Sequence, residues 1–172
     1  MLRSVVYRIG AMAAVAVAAC FQANAQTVQV QFSPGGASDL VLETIKGAKR
    51  EIDVAAYEFT SGKVAQALIA AHRRGVQVAV LADARRNEGK GYSKVYALAH
   101  QGVAVRLNGR YAAQHNKFIV VDGAAVETGS FNYTHAAEAD NAENAIVIRD
   151  GKLASKYRQE FMRLWQESEP VR

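Results

Sequence analysis

A histidine and a lysine two residues apart, His115 and Lys117, stand at the head of the apolar run FIVV, and Gly129-Ser130-x-Asn132 closes the segment that follows. An imidazole can attack phosphorus or carry a proton, while an ammonium, a hydroxyl and a carboxamide can each donate to an oxyanion. Together the four suit chemistry on an anionic ester. Between them Asp122-Gly123 is a strong two-residue hairpin signal. With those two residues as the loop, 121 faces 124, and the ladder followed back sets His115 opposite Ser130, about 5 Å apart at Cβ. Lys117 shares their face because side chains two apart on a strand point the same way, and Asn132 lies on it just beyond Ser130. Asp122 has the opposite parity and sits at the far end, where its expected work is to hold the turn. On spacing alone, a hairpin with a merely polar rim is the plain alternative. A metal site is disfavoured, since no second histidine or carboxylate stands at ligand spacing beside His115 and Lys117 would repel a cation.

The elements that must position these residues read as an alternating pattern. TVQVQFSP alternates and ends at proline, as a strand does, and SDLVLETIKGAKR has helical spacing with Ser38 as its expected cap. IDVAAYEF is a second strand. SGKVAQALIAAHRRG is a helix capped by Ser61 and stopped by Gly75. VQVAVLAD and YSKVYALAHQG follow as strand and helix, then VAVRLN, the two arms of the hairpin and NAIVIRD as strands, and KLASKYRQEFMRLWQ as a last amphipathic helix. This order predicts an α/β fold, a mixed β-sheet flanked by helices on both faces. The basic stretch ARRNEGKGYSK is expected as a loop, and loops at strand ends carry sites disproportionately. Arg85, Arg86 and Lys90 are its candidates for substrate contact.

The first residues are expected to lie outside this core. A short basic start, an apolar stretch and ANAQ, with small residues at −3 and −1, form the pattern of a secretory signal peptide over residues 1–25, leaving a domain over 26–172. The apolar stretch is short for a membrane span, which needs about 20 residues. A periplasmic or secreted location follows. Cys20, in VAAC, is the one cysteine of the chain, so the mature domain has no disulfide; lipidation of Cys20 is the lesser alternative to cleavage after Ala25. The formal charge is +5, and two of the positive charges, Arg3 and Arg8, belong to the leader. That permits an anionic partner without identifying one.

The spacing His115-x-Lys117, four residues, Asp122, six residues, Gly129-Ser130-x-Asn132 resembles the HxKx4Dx6GSxN signature of the phospholipase D superfamily. AYEFTS…VAQALIAAHRRGVQVAVLAD upstream and NAENAIVI downstream are similar to its small, single-motif bacterial endonuclease branch. The resemblance implies the phospholipase D-like nuclease sandwich and a homodimer in which two copies of the motif meet at one shared active site. It implies that His115 of one copy is the nucleophile that forms a phosphohistidine, while His115 of the other protonates the leaving oxygen and then activates water. Lys117, Ser130 and Asn132 would hold the nonbridging oxygens, with no metal and no cofactor. Glu143 would accept a hydrogen bond from the His115 imidazole.

The implied function is a metal-independent, largely sequence-nonspecific endonuclease with DNA as its partner and RNA as a second candidate. One alternative is a phospholipase D-type lipid phosphodiesterase or phosphatidyltransferase, which the small single-motif chain disfavours. The other is a non-catalytic periplasmic nucleic-acid-binding protein. No stable membrane association is expected unless Cys20 is lipidated. His135, after Asn-Tyr-Thr, is a weaker candidate for touching substrate, and His72 and His100 suit helix ends. Tyr57, Glu58 and Phe59 end the second strand and read as packing residues at the margin of the cleft.

Overall fold

The computed structural model describes residues 27–171. The expected signal peptide and Cys20 lie outside these residues. The described residues begin with β1 (Thr27–Ser33), α1 (Ala37–Gly47), β2 (Glu51–Ala56), α2 (Gly62–Arg73) and β3 (Gln77–Asp83). A short α3 (Ala84–Asn87) precedes α4 (Val95–His100) and β4 (Ala104–Asn108). The hairpin β5 (Phe118–Val121) and β6 (Ala125–Gly129) is followed by α5 (His135–Ala139), β7 (Glu143–Arg149), α6 (Gly151–Gln166) and β8 (Glu169–Pro170).

The strands form one sheet in the order β1-β7-β6-β5-β2-β3-β4-β8, in which β2, β3 and β4 run parallel and the remaining pairs are antiparallel. Helices α1, α2 and α4 cover one face, where Val41, Ile45, Leu68 and Leu98 pack against Val54, Val80, Ile119 and Val147. Helix α6 covers the other, with Ala154, Phe161 and Leu164 against Leu81, Phe118, Val120 and Val126. Burial on both faces is why FIVV is apolar without alternation. Each large apolar side chain so enclosed contributes about 1.5–3 kcal/mol relative to exposure.

The expected α/β sandwich is the one observed, with local differences. Ser61 caps α2 as expected, its hydroxyl accepting from Val64 N at 3.2 Å. Ser38 does not cap α1: the helix begins two residues earlier, at Ala37 behind Gly36, and the Ser38 hydroxyl is buried without a partner. The stretch ARRN, expected as loop, turns into α3 because the Asp83 carboxylate accepts from Arg86 N at 2.9 Å. Asn87, fully buried, then pins this segment to the end of β2. Its Oδ1 accepts from Phe59 N and Ser93 Oγ, and its Nδ2 donates to the carbonyls of Tyr57 and Asp83.

The hairpin register also differs by one residue. Val121 pairs with Ala125 and Phe118 with Thr128, so the loop holds three residues, Asp122 to Ala124, rather than two. Asp122 and Gly123 have the left-handed φ values of the expected turn, 54° and 63°, and Ala124 N donates to Val121 O at 2.9 Å. Ala124 itself is unpaired, a bulge that adds twist. Asp122 does hold the turn: its carboxylate accepts from the backbone N–H groups of Lys49, Arg50 and Glu51. Burial would raise its pKa, but those donors and the Arg50 guanidinium outweigh it and keep the carboxylate below its ordinary range.

Candidate functional site

The one-residue shift removes the direct opposition of His115 and Ser130, and both residues in fact lie beyond the paired strands. Buried amides and carboxylates bring them together instead. Gln114, just before His115, is 2 % exposed; its Nε2 donates to Ala56 O and its Oε1 accepts from Asn116 N, while its own N–H donates to the buried Asp83 carboxylate. On the other side Gly129 passes so close to β7 that a Cβ there would lie 2.2 Å from the carbonyl oxygen of Asn144. No residue but glycine fits. The result is an open cleft of about 400 Å³ lined by His115, Lys117, Ser130 and Asn132, with Thr128 and Tyr157 at its wall.

Within the cleft the polar groups engage one another. Lys117 Nζ lies 3.1 Å from His115 Nδ1 and donates to His115 O at 2.8 Å. An ammonium has only donors, so Nδ1 is the acceptor in that contact and Nε2 carries the proton of the neutral ring. Attack through Nε2 therefore requires the other tautomer: Lys117 must release Nδ1, as it would on turning towards an anion, so that Nδ1 takes a proton from solvent while Nε2 gives its own up. Burial draws the Lys117 ammonium below its ordinary pKa, and the Glu143 carboxylate opposes the shift. The Ser130 hydroxyl donates to Glu143 Oε2 at 2.5 Å and accepts from Asn144 N at 3.0 Å. Glu143 Oε1 accepts from Asn141 Nδ2. Glu143 thus bonds to Ser130 rather than to the His115 imidazole expected from the resemblance. Asn132 is half-buried, and its Oδ1 has no partner.

The remaining candidates stand apart. Asp122 lies at the opposite end of the hairpin, bonded to the start of β2. Arg85 donates to Ala112 O, bracing the segment that leads to His115. Lys90 is exposed on the turn after α3, and His135 is the exposed first residue of α5, capped by Thr134. His72 lies in the last turn of α2 and His100 ends α4. Arg86 reaches the site through Tyr57: its Nε donates to Tyr57 Oη, and the Tyr57 ring lies 4.2 Å from the imidazole of His115.

Residues 41–165 match the family model described as cardiolipin synthase, PLD-like domain. The chain belongs to the phospholipase D superfamily. Within it, this chain is 38 % identical over 131 residues to the mitochondrial cardiolipin hydrolase of Xenopus laevis, covering 76 % of this chain and 62 % of that protein. It is 39 % identical over 129 residues to the phospholipase D of Rickettsia bellii, covering 75 % and 64 % respectively. The match thus spans about three-fifths of the length of these curated relatives. The crystal structure of Nuc, a phospholipase D family member from Salmonella typhimurium, superposes with a TM-score of 0.81 at 41 % identity, covering 86 % of this chain and 99 % of Nuc.

In this phospholipase D superfamily member several groups that shape the site lie outside the signature: Tyr57, Asp83, Asn87, Gln114 and the pair Glu127–Tyr133. Only the position of Tyr57 at a strand end marked it in the sequence. Glu127, two residues before Gly129, is 1 % exposed and accepts from Tyr133 Oη at 2.8 Å. The bond ties the strand to the loop that carries Asn132. Burial pushes its carboxyl up from 4.5 to about 8, the Tyr133 bond opposing in part. The folded protein thus keeps a proton that the unfolded chain releases, a stabilisation fully present below about pH 4.5 and lost as pH rises through about 8.

Asp53, raised to about 6 by burial, gives a slope of the same sign at lower pH. Between about pH 6 and 8, unfolding free energy is expected to fall by up to about 1.4 kcal/mol per pH unit, and Glu127→Gln to flatten the fall. Urea denaturation across that window checks it; identical slopes in the two proteins would refute a protonated Glu127.

Proposed function

We propose that the chain is a metal-independent, largely sequence-nonspecific endonuclease that hydrolyses the phosphodiester bonds of DNA, with RNA as a second substrate, through a phosphohistidine on His115. The observation that carries the reading is the single cleft that gathers His115, Lys117, Ser130 and Asn132. An incoming diester would draw Lys117 off Nδ1, which then takes a proton from solvent as Nε2 gives its own up; Nε2 is left as the nucleophile while the ammonium and the Asn132 amide take up nonbridging oxygens. The Ser130 proton is held by Glu143 and joins them only if that bond is exchanged. Likeness to Nuc over nearly the whole of that protein supports the nuclease reading.

The active form in this reading is a homodimer with one shared site, because a single chain offers one histidine in the cleft and the reaction also needs an acid for the leaving oxygen. The sheet supports it. On the face that α6 covers, β7 and β1 extend beyond the helix: Val28, Val30 and Phe32 are 55 %, 48 % and 63 % exposed and lie opposite Ile148, Ile146 and Asn144. This bare apolar row runs up to Ser33, the strand partner of Glu143, and so adjoins the cleft. A second copy of the chain is its proposed occupant. Export is proposed on the leader alone.

Lipid phosphodiester cleavage is the second reading, favoured by the names of the Xenopus and Rickettsia relatives. Purified protein is to be given plasmid DNA, RNA and cardiolipin–phosphatidylcholine vesicles, each with and without EDTA. Nicking of plasmid undiminished by EDTA is expected. Loss of cleavage in EDTA with rescue by a divalent ion would refute the metal-independent mechanism. Cleavage of cardiolipin alone would replace the nuclease reading with the lipid one, and DNA binding without any cleavage would leave a binding protein.

A further inference from the structure

We propose that Tyr57 is a positioning residue for His115: its ring sets the plane of the imidazole, and Arg86 in turn fixes the ring. The inference rests on the reading above in taking His115 as the reacting group. Tyr57 follows β2 directly. Its ring centroid lies 4.2 Å from that of His115, with the planes tilted by 49°. Lys117 Nζ stands 5.0 Å and the Arg86 guanidinium carbon 5.2 Å from the same centroid, and Arg86 Nε donates to Tyr57 Oη at 2.6 Å. One aromatic ring is thus shared by three side chains that carry or can carry positive charge, each within the distance at which a ring face attracts a cation.

The arrangement is braced from below. The carbonyl of Tyr57 accepts from the fully buried Asn87, the next residue to Arg86, and the carbonyl of Ala56 accepts from Gln114, the residue before His115. Tyr57, Arg86 and His115 therefore project from three segments that two buried amides lock together. Among the described residues, the imidazole's polar and aromatic side-chain contacts are with Lys117 and Tyr57. When Lys117 turns to the phosphate, Tyr57 is the contact that remains to keep Nε2 aimed. A ring free to rotate would spend most of its time out of line with phosphorus, and loss of orientation of this kind costs about 10- to 100-fold in rate.

The test compares Tyr57→Leu, Tyr57→Phe and Arg86→Ala in the full chain, on plasmid and on bis(p-nitrophenyl) phosphate, a diester too small to reach beyond the cleft. Tyr57→Leu is expected to lower kcat about 10- to 100-fold on both substrates with KM nearly unchanged. Tyr57→Phe, which keeps the ring, should recover most of it, and Arg86→Ala, at an exposed position that leaves the core intact, should fall between. A second readout needs no turnover. NOEs between the His115 ring protons and its own Hα and Hβ report the plane of the imidazole, so these NMR signals should change in Tyr57→Leu and stay in Tyr57→Phe. Unchanged signals in Tyr57→Leu, or a rise in KM with kcat intact, would overturn the proposal, the latter making Tyr57 a substrate contact. If wild type itself leaves both diesters uncut, the nuclease reading fails while the NMR comparison still decides whether Tyr57 orients the ring.

Discussion

His115→Ala is expected to abolish diester cleavage, by on the order of 10⁴-fold or more, while leaving a folded protein that still binds DNA. Among the described residues that line the cleft, the imidazole is the group suited both to attack phosphorus and to exchange a proton with the leaving oxygen or water, the Ser130 hydroxyl being held by Glu143. Removing it ends the covalent route at both steps. The fold should not notice. His115 is exposed, lies outside the paired strands, and contributes no side chain to either core cluster. Binding should survive because phosphate contacts come from cations, and Lys117 remains in the cleft. Cleavage rate, thermal melting and filter binding at fixed salt check the three parts separately. Turnover near that of wild type would mean that the chemistry lies elsewhere and the cleft is a scaffold.

The second large effect concerns subunits rather than residues. Mixing wild type with a ninefold excess of His115→Ala chains, under conditions that exchange subunits, is expected to cut activity per wild-type chain about tenfold. With one site per dimer and one histidine from each copy, a mixed pair lacks either the nucleophile or the acid, and only wild-type pairs turn over. Random pairing then makes the rate follow the square of the wild-type fraction. If activity instead stays proportional to the amount of wild-type chain, each copy works alone and the shared site is wrong. The bare row of Val28, Val30 and Phe32 offers a control: a charge placed at Phe32 of the His115→Ala chains alone should keep them from pairing with wild type and remove their inhibition.

Much of this was legible in the sequence because the relevant signals are local. Ser61 before an apolar helical pattern reads as a cap, and it is one. Strands buried on both faces read as FIVV and VAVLA, and the order of elements predicted the mixed sheet covered by helices. What escaped was set by contacts between distant segments. Asp122-Gly123 adopts the turn its residues favour, yet the ladder slips by one because Ala124 bulges out while Asp122 is tied to Lys49, Arg50 and Glu51. Asn87, in a stretch that reads as a solvated basic loop, is fully buried since it finds Phe59, Tyr57, Asp83 and Ser93 to satisfy its amide. Glu127 is a charged residue type that the sequence would leave at the surface, and only the fold supplies Tyr133 beside it. The partner of Glu143 is likewise a matter of which hydroxyl β7 meets.

The pairing of β1 imposes an order on assembly. The first described strand lies along β7 over its whole length, Thr27 opposite Arg149 and Ser33 opposite Glu143, and among the described residues no other strand lies beside it. During synthesis its partner does not yet exist until residue 149 has been made, so a strand with one apolar face waits with both edges bare while β2, β3 and β4 can already align from near neighbours. Closing so long a loop is entropically dearer than closing those, and an unpaired apolar strand is the kind of segment that aggregates or needs a chaperone. The same late strand brings Glu143 to Ser130 and Asn144 to Gly129. A nascent or truncated chain that stops short of β7 therefore has its signature histidine and lysine but lacks the Glu143 and Asn144 contacts that set Ser130 and Gly129 in place.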